Sequence, residues 1–154
     1  MCSEVRFEQA ELDRLIGEAA ARIAADVPRV QHMIAIERWG IIPAMALQQL
    51  LPGCPSVSTV RISFYGGNRR PGRARVHGFE ENLPLWRHFA PGEILVVDDV
   101  ADRGLTLCEF QRHYDGPPYR TFVLFKKPLS PVDPTYVARH LESDAWIVFP
   151  WDEA

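Results

Sequence analysis

Two adjacent acids close an apolar run at Ile94-Leu95-Val96-Val97-Asp98-Asp99, and Asp102-Arg103-Gly104 then leads into Leu105-Thr106. Four aliphatic residues in a row suit a strand buried on both faces. Acids at its carboxyl end would stand where ligands bind in open α/β sheets. A Gly-containing turn ahead of a helix leaves backbone N–H groups at the helix start, and these favour an anion such as phosphate. Carboxylates and a phosphate cradle can share one ligand if hydroxyls or a hydrated divalent cation stand between them. A sugar phosphate meets both demands. Two plainer alternatives are acids that merely cap a helix and a phospho-acceptor receiver domain. The latter would place an acid pair after the first strand, where this chain has Glu37-Arg38.

Such residues need a sheet and helices to hold them. From Phe7 to Asp26, Leu12, Leu15, Ile16, Ala19 and Ile23 form one apolar stripe at helical spacing, with Pro28 beyond the end. Met33 to Ile36 reads as a short buried strand, and Pro43 suits the first turn of a helix running to about Leu51. Val57 to Tyr65 alternates Val60, Ile62 and Phe64 against Thr59, Arg61 and Ser63, a strand with one wetter face. Leu105 to His113 is helix-like, and Phe122 to Phe125 and Ala145 to Phe149 are further apolar strands. Apolar strands alternating with helices imply an α/β fold with a mainly parallel sheet flanked by helices. Residues 66–92 carry Gly66-Gly67, Pro71-Gly72, Arg69, Arg70, Arg73 and Arg75, and read as one long loop, either a flexible lid or a solvated, mobile face.

With 154 residues, 47% of them hydrophobic, the chain supports one core and one domain, 1–154. Its formal charge of −3 argues against nucleic acid or an anionic membrane as a partner. Apolar runs fall far short of the roughly 20 residues of a membrane span, and the first residues lack a secretory pattern, so a cytoplasmic protein is expected. Cys2, Cys54 and Cys108 form no redox or metal motif. His32, His77, His88, His113 and His140 lack zinc-ligand spacing.

The stretch from Val96 to Thr106 resembles the PRPP-binding motif of type I phosphoribosyltransferases, an apolar run and two acids followed by Asp-Thr-Gly-x-Thr. Ala35 to Ala44 resembles the pyrophosphate loop of bacterial xanthine-guanine phosphoribosyltransferases, Arg-Gly-Gly-x-x-Pro-Ala. Phe125-Lys126-Lys127-Pro128 resembles their Lys-Pro segment, and Trp146 to Asp152 their Trp-Ile-x-x-Pro-Trp-Asp hood. The resemblance implies a Rossmann-like type I phosphoribosyltransferase fold with a hood over 128–154. It implies transfer of a phosphoribosyl group from PRPP to a 6-oxopurine in purine salvage, with Mg²⁺, pyrophosphate as product, and a homo-oligomer, dimer or tetramer.

By the same likeness, Asp98 and Asp99 hold the ribose hydroxyls directly or through metal, and the turn Asp102, Arg103, Gly104, Leu105, Thr106 cradles the 5′-phosphate. Asp102 doubles as proton acceptor. Arg38 and the amides about Trp39 face pyrophosphate; Lys127, Trp146 and Ile147 read the purine; Asp152 lies by a second metal. Arg103 stands where the motif has Thr, and Trp39 where the loop has its first Gly. These departures keep two alternatives open: a PRPP- or nucleotide-sensing regulator without chemistry, and a transferase for another base.

Overall fold

The computed structural model describes residues 3–64 and 74–153. A six-stranded sheet runs in the order β4-β3-β2-β5-β6-β7, built from β2 (His32–Glu37), β3 (Ser56–Phe64), β4 (Ala74–His77), β5 (Ile94–Ala101), β6 (Tyr119–Lys126) and β7 (Tyr136–His140). All neighbours are parallel except β3 and β4. Helices α1 (Gln9–Ala25) and α2 (Ile41–Leu50) cover one face, and α3 (Phe79–Trp86) and α4 (Leu105–His113) the other.

Period-two side-chain alternation explains why the central strands read as unbroken apolar runs. Met33, Ala35, Leu95, Val97, Phe122 and Leu124 join the core under α1 and α2. Ile34, Ile36, Ile94, Val96 and Val123 join the one under α3 and α4. The chain leaves β2 through α2 toward β3 and leaves β5 through α4 toward β6, in opposite directions. The switch point of the sheet therefore lies between β2 and β5. Their register runs from His32↔Ile94 to Ala35↔Val97 and then stops, so the two carboxyl ends part.

The amino ends of the strands are tied together. Arg120 donates to the carbonyl of Gly92 (2.9 Å) and to the hydroxyl of Tyr136 (2.9 Å), which itself donates to Asp26 at 2.6 Å. Buried His32 sits between the hydroxyls of Ser56 (2.7 Å) and Ser58 (2.8 Å), and the Trp86 indole N–H donates to Ser58 at 3.0 Å. Because indole nitrogen only donates, Ser58 is free to turn its own proton to His32 Nε2, so the neutral Nδ1–H tautomer satisfies every group. Burial pushes the His32 pKa from 6.5 down to about 4.

Two expectations change. The segment 66–92 is not one lid loop: its residues 66–73 lie outside the described residues, but 74–77 return antiparallel to β3 and 79–86 form α3. Phe79 and Trp86, seven residues apart, lie on one face of that helix and bury against Phe110 and Tyr114, which anchors the segment. Second, the hood is narrower than 128–154, because Tyr136–His140 joins the main sheet beside β6. Near the amino end, β1 (Glu4–Arg6) pairs in parallel with β8 (Trp146–Val148) in a separate two-stranded sheet. A closing 3-10 turn spans Pro150–Glu153.

Candidate active site

At the carboxyl ends of β2 and β5 the chain leaves a cleft of about 310 Å³. From β5 come Asp98 and Asp99, whose strand continues past the apolar run to Ala101. Asp98 is buried, and its Oδ1 accepts the Asp99 amide at 2.9 Å. Asp99 Oδ1 accepts the Val100 amide at 2.8 Å. Each carboxylate is thus oriented by the amide of the residue that follows it. Beyond β5 the turn brings in Asp102, then Gly104 at φ +75°, where a Cβ would also run into Val132 at 2.6 Å. Only glycine suits both demands. Gly104 is the N-cap of α4, whose first-turn amides have no side-chain cap from it, and Thr106 in that first turn lines the cleft.

From the end of β2 come Glu37, Arg38 and Trp39, with a cis peptide between Glu37 and Arg38. Gly40 follows, wedged where β2 and β5 part: its amide bonds the Ile36 carbonyl at 3.0 Å, and a Cβ there would lie 2.7 Å from the Val97 carbonyl and collide with that of Ile36. Lys127, just past β6, has a buried side chain whose Nζ faces Asp102 Oδ2 at 3.6 Å, while its amide bonds the Ala101 carbonyl at 3.0 Å. The hood closes the far wall. Trp146 is 63% exposed there, Ile147 is buried, and Asp152 Oδ2 accepts the Phe149 amide at 2.9 Å.

The cleft therefore gathers Arg38, Trp39, Asp98, Asp99, Asp102, Thr106, Lys127, Trp146, Ile147 and Asp152 from four separate stretches of chain. Arg103, Gly104 and Leu105 do not line it with their side chains: Arg103 points into solvent, Gly104 is packed under Val132, and Leu105 opens α4 half-buried. Glu37, Ile62, Val100 and Phe149 also line the wall and were not singled out in sequence. For Glu37 a signal existed, since it ends β2 as Asp98 and Asp99 end the apolar run of β5.

Five carboxylates (Glu37, Asp98, Asp99, Asp102, Asp152) against two cations (Arg38, Lys127) line this space. An anionic ligand entering it needs cationic help. Among the described residues, no three acids, histidines or cysteines converge closely enough to hold a metal by themselves. That donor set fits Mg²⁺, which keeps several waters and binds through one or two carboxylates together with substrate phosphates.

Residues 8–154 match the phosphoribosyl transferase domain family. A xanthine-guanine phosphoribosyltransferase of Cereibacter sphaeroides is 29% identical over 123 residues, 79% of this chain and 69% of that protein. A purine phosphoribosyltransferase structure from Pyrococcus horikoshii superposes with a TM-score of 0.77 at 25% identity, covering 96% of this chain and 93% of that one. A Neisseria gonorrhoeae protein with bound ppGpp superposes at 0.76 and 24% identity, covering 99% and 90%.

Proposed function

This chain belongs to the phosphoribosyl transferase domain family, and on that premise we propose that it transfers the 5-phosphoribosyl group of PRPP to a 6-oxopurine: guanine, xanthine or hypoxanthine. The observation that carries the reading is the convergence of Asp98, Asp99 and Asp102, Lys127, Trp146 and Arg38 on one cleft at the switch point of the sheet. The names of the Cereibacter and Pyrococcus relatives point to the same chemistry.

In this reading Asp98 and Asp99 take the ribose hydroxyls, and the amides from Arg103 to Thr106 hold the 5′-phosphate at the start of α4. Trp146 stacks on the purine, Lys127 donates to its 6-oxo oxygen, and the backbone at Ile147 reads its edge. A base nitrogen attacks C1′ as the bond from C1′ to the pyrophosphate oxygen breaks, the bonding pair leaving with pyrophosphate. The surplus proton on the base passes to the Asp102 carboxylate. Arg38 and the amides about Trp39 receive the leaving group. Asp98 and Asp99 would hold Mg²⁺ together with substrate oxygens, and Asp152 would stand beside a second ion; the metal would supply charge neutralisation for the departing pyrophosphate. The enzyme works in purine salvage in the cytoplasm as a homo-oligomer, consistent with Met45 and Leu50 standing exposed on α2.

A nucleotide-sensing regulator is the second reading, favoured by Arg103 and Trp39 at motif positions and by the ppGpp-bound neighbour. Measuring pyrophosphate released from PRPP across a panel of bases separates the two. Release with a 6-oxopurine is the expected result. Binding of PRPP without release under any base would replace the transferase with the sensor.

A further inference from the structure

Arg38 is the cation of the cleft whose donors are unspent. Among the described residues its guanidinium makes no hydrogen bond or ion pair, whereas Lys127 already faces Asp102. What it does touch is the side chain of the next residue: the guanidinium carbon lies over the Trp39 ring, 5.0 Å from the centroid. A carboxylate would also hold the guanidinium, but it would consume N–H donors and cancel charge. An aromatic face holds it through the ring quadrupole and leaves the in-plane donors directed outward.

Without that hold, Arg38 would have acids close by to pair with, since Glu37 and Asp99 line the same cleft. Trp39 is itself anchored, because Gly40 is wedged against the carbonyls of Ile36 and Val97, which places the Trp39 backbone at the switch point. Trp39 is 36% exposed and lines the cleft rather than entering either core.

We infer that Trp39 is a positioning residue, whose indole holds the Arg38 guanidinium with its donors turned to the leaving pyrophosphate. The inference rests on the transferase reading and adds to it a role for a side chain that replaces the glycine of the resembled loop.

Calorimetric titration of inorganic pyrophosphate with Mg²⁺ into wild type, Trp39→Ala, Trp39→Phe, Arg38→Ala and the Trp39→Ala/Arg38→Ala double variant tests it. Trp39→Ala is expected to weaken binding about fivefold, and Trp39→Phe to restore it to within about twofold, since a ring face suffices. In the Arg38→Ala background, Trp39→Ala should change affinity by less than about twofold, because the ring then has nothing to hold. A partly exposed indole contributes little to the core, and equal melting temperatures check that the variants share one fold. Equal weakening in both backgrounds, or Trp39→Phe as weak as Trp39→Ala, overturns the inference and leaves the transferase reading standing. A wild type that binds no pyrophosphate overturns both.

Discussion

Lys127 and Asp102 face each other at 3.6 Å in the free cleft, one buried and the other about a third exposed. Each serves as the other's partner until a base enters, so each substitution touches two steps. Asp102→Asn removes the proton acceptor and should lower kcat by about 10² to 10⁴ while PRPP affinity, held mainly by the backbone after Asp102, stays within a few fold. Stopped-flow turnover beside calorimetric PRPP binding checks this. Lys127→Ala acts on selectivity: a lysine donor suits a 6-oxo oxygen and leaves the 6-amino group of adenine unpaired, which costs about 1–3 kcal/mol. Competition of adenine against guanine should therefore be poor in wild type and markedly closer in the variant. An adenine that competes equally in wild type removes Lys127 from base recognition.

The hood is held by an element of only three residues. Glu4, Val5 and Arg6 pair with Trp146, Ile147 and Val148, and the Trp146 amide bonds the Ser3 carbonyl at 2.9 Å. Deleting residues 2–6 should leave the main sheet intact and PRPP binding near normal. It should raise the KM for the base by about tenfold, roughly 1.4 kcal/mol, as the hood loses its second strand. Steady-state kinetics with each substrate varied in turn give the split. This strand was invisible in the sequence because three polar-flanked residues carry no periodicity, and their partner is at the other end of the chain. The alternation of β3, the stripe of α1 and the bounds of α4 were legible, since each pattern is repeated over two turns or more. The segment from Ala74 to Trp86 was misread for a physical reason: β4 is an edge strand of four residues, and α3 is short with Pro84 inside it, so neither repeats its pattern often enough to stand out. In the cleft, the acids, Lys127 and the Trp146 run were legible because motifs are local. Glu37 and the Arg38–Trp39 contact depend on how β2 ends in space.

Taken whole, the molecule is stitched at the amino ends of its strands and open at the carboxyl ends. The stitch at His32 sets a pH dependence. The unfolded chain takes a proton on this histidine near pH 6.5, whereas the folded one resists until about pH 4. Stability from this group is therefore complete above pH 6.5 and drains away as the pH falls toward 4, by roughly 3 kcal/mol at most. Thermal melts from pH 7.5 to 4.5 should show a steeper acid loss in wild type than in His32→Gln; parallel curves would clear His32 of the effect. At the open end, the amides of Asp99 and Val100 take carboxylate oxygens as acceptors, those of Asp98 and of Asp99 itself. Those same carboxylates are the groups proposed to take the ribose hydroxyls. Two amides in the middle of the domain thus exchange their hydrogens with solvent at a rate coupled to the cleft rather than to global unfolding. PRPP should change deuterium uptake at Asp99 and Val100 while that of Leu95 and Val96, three to five residues back on the same strand, stays put, making this strand end an internal gauge of occupancy.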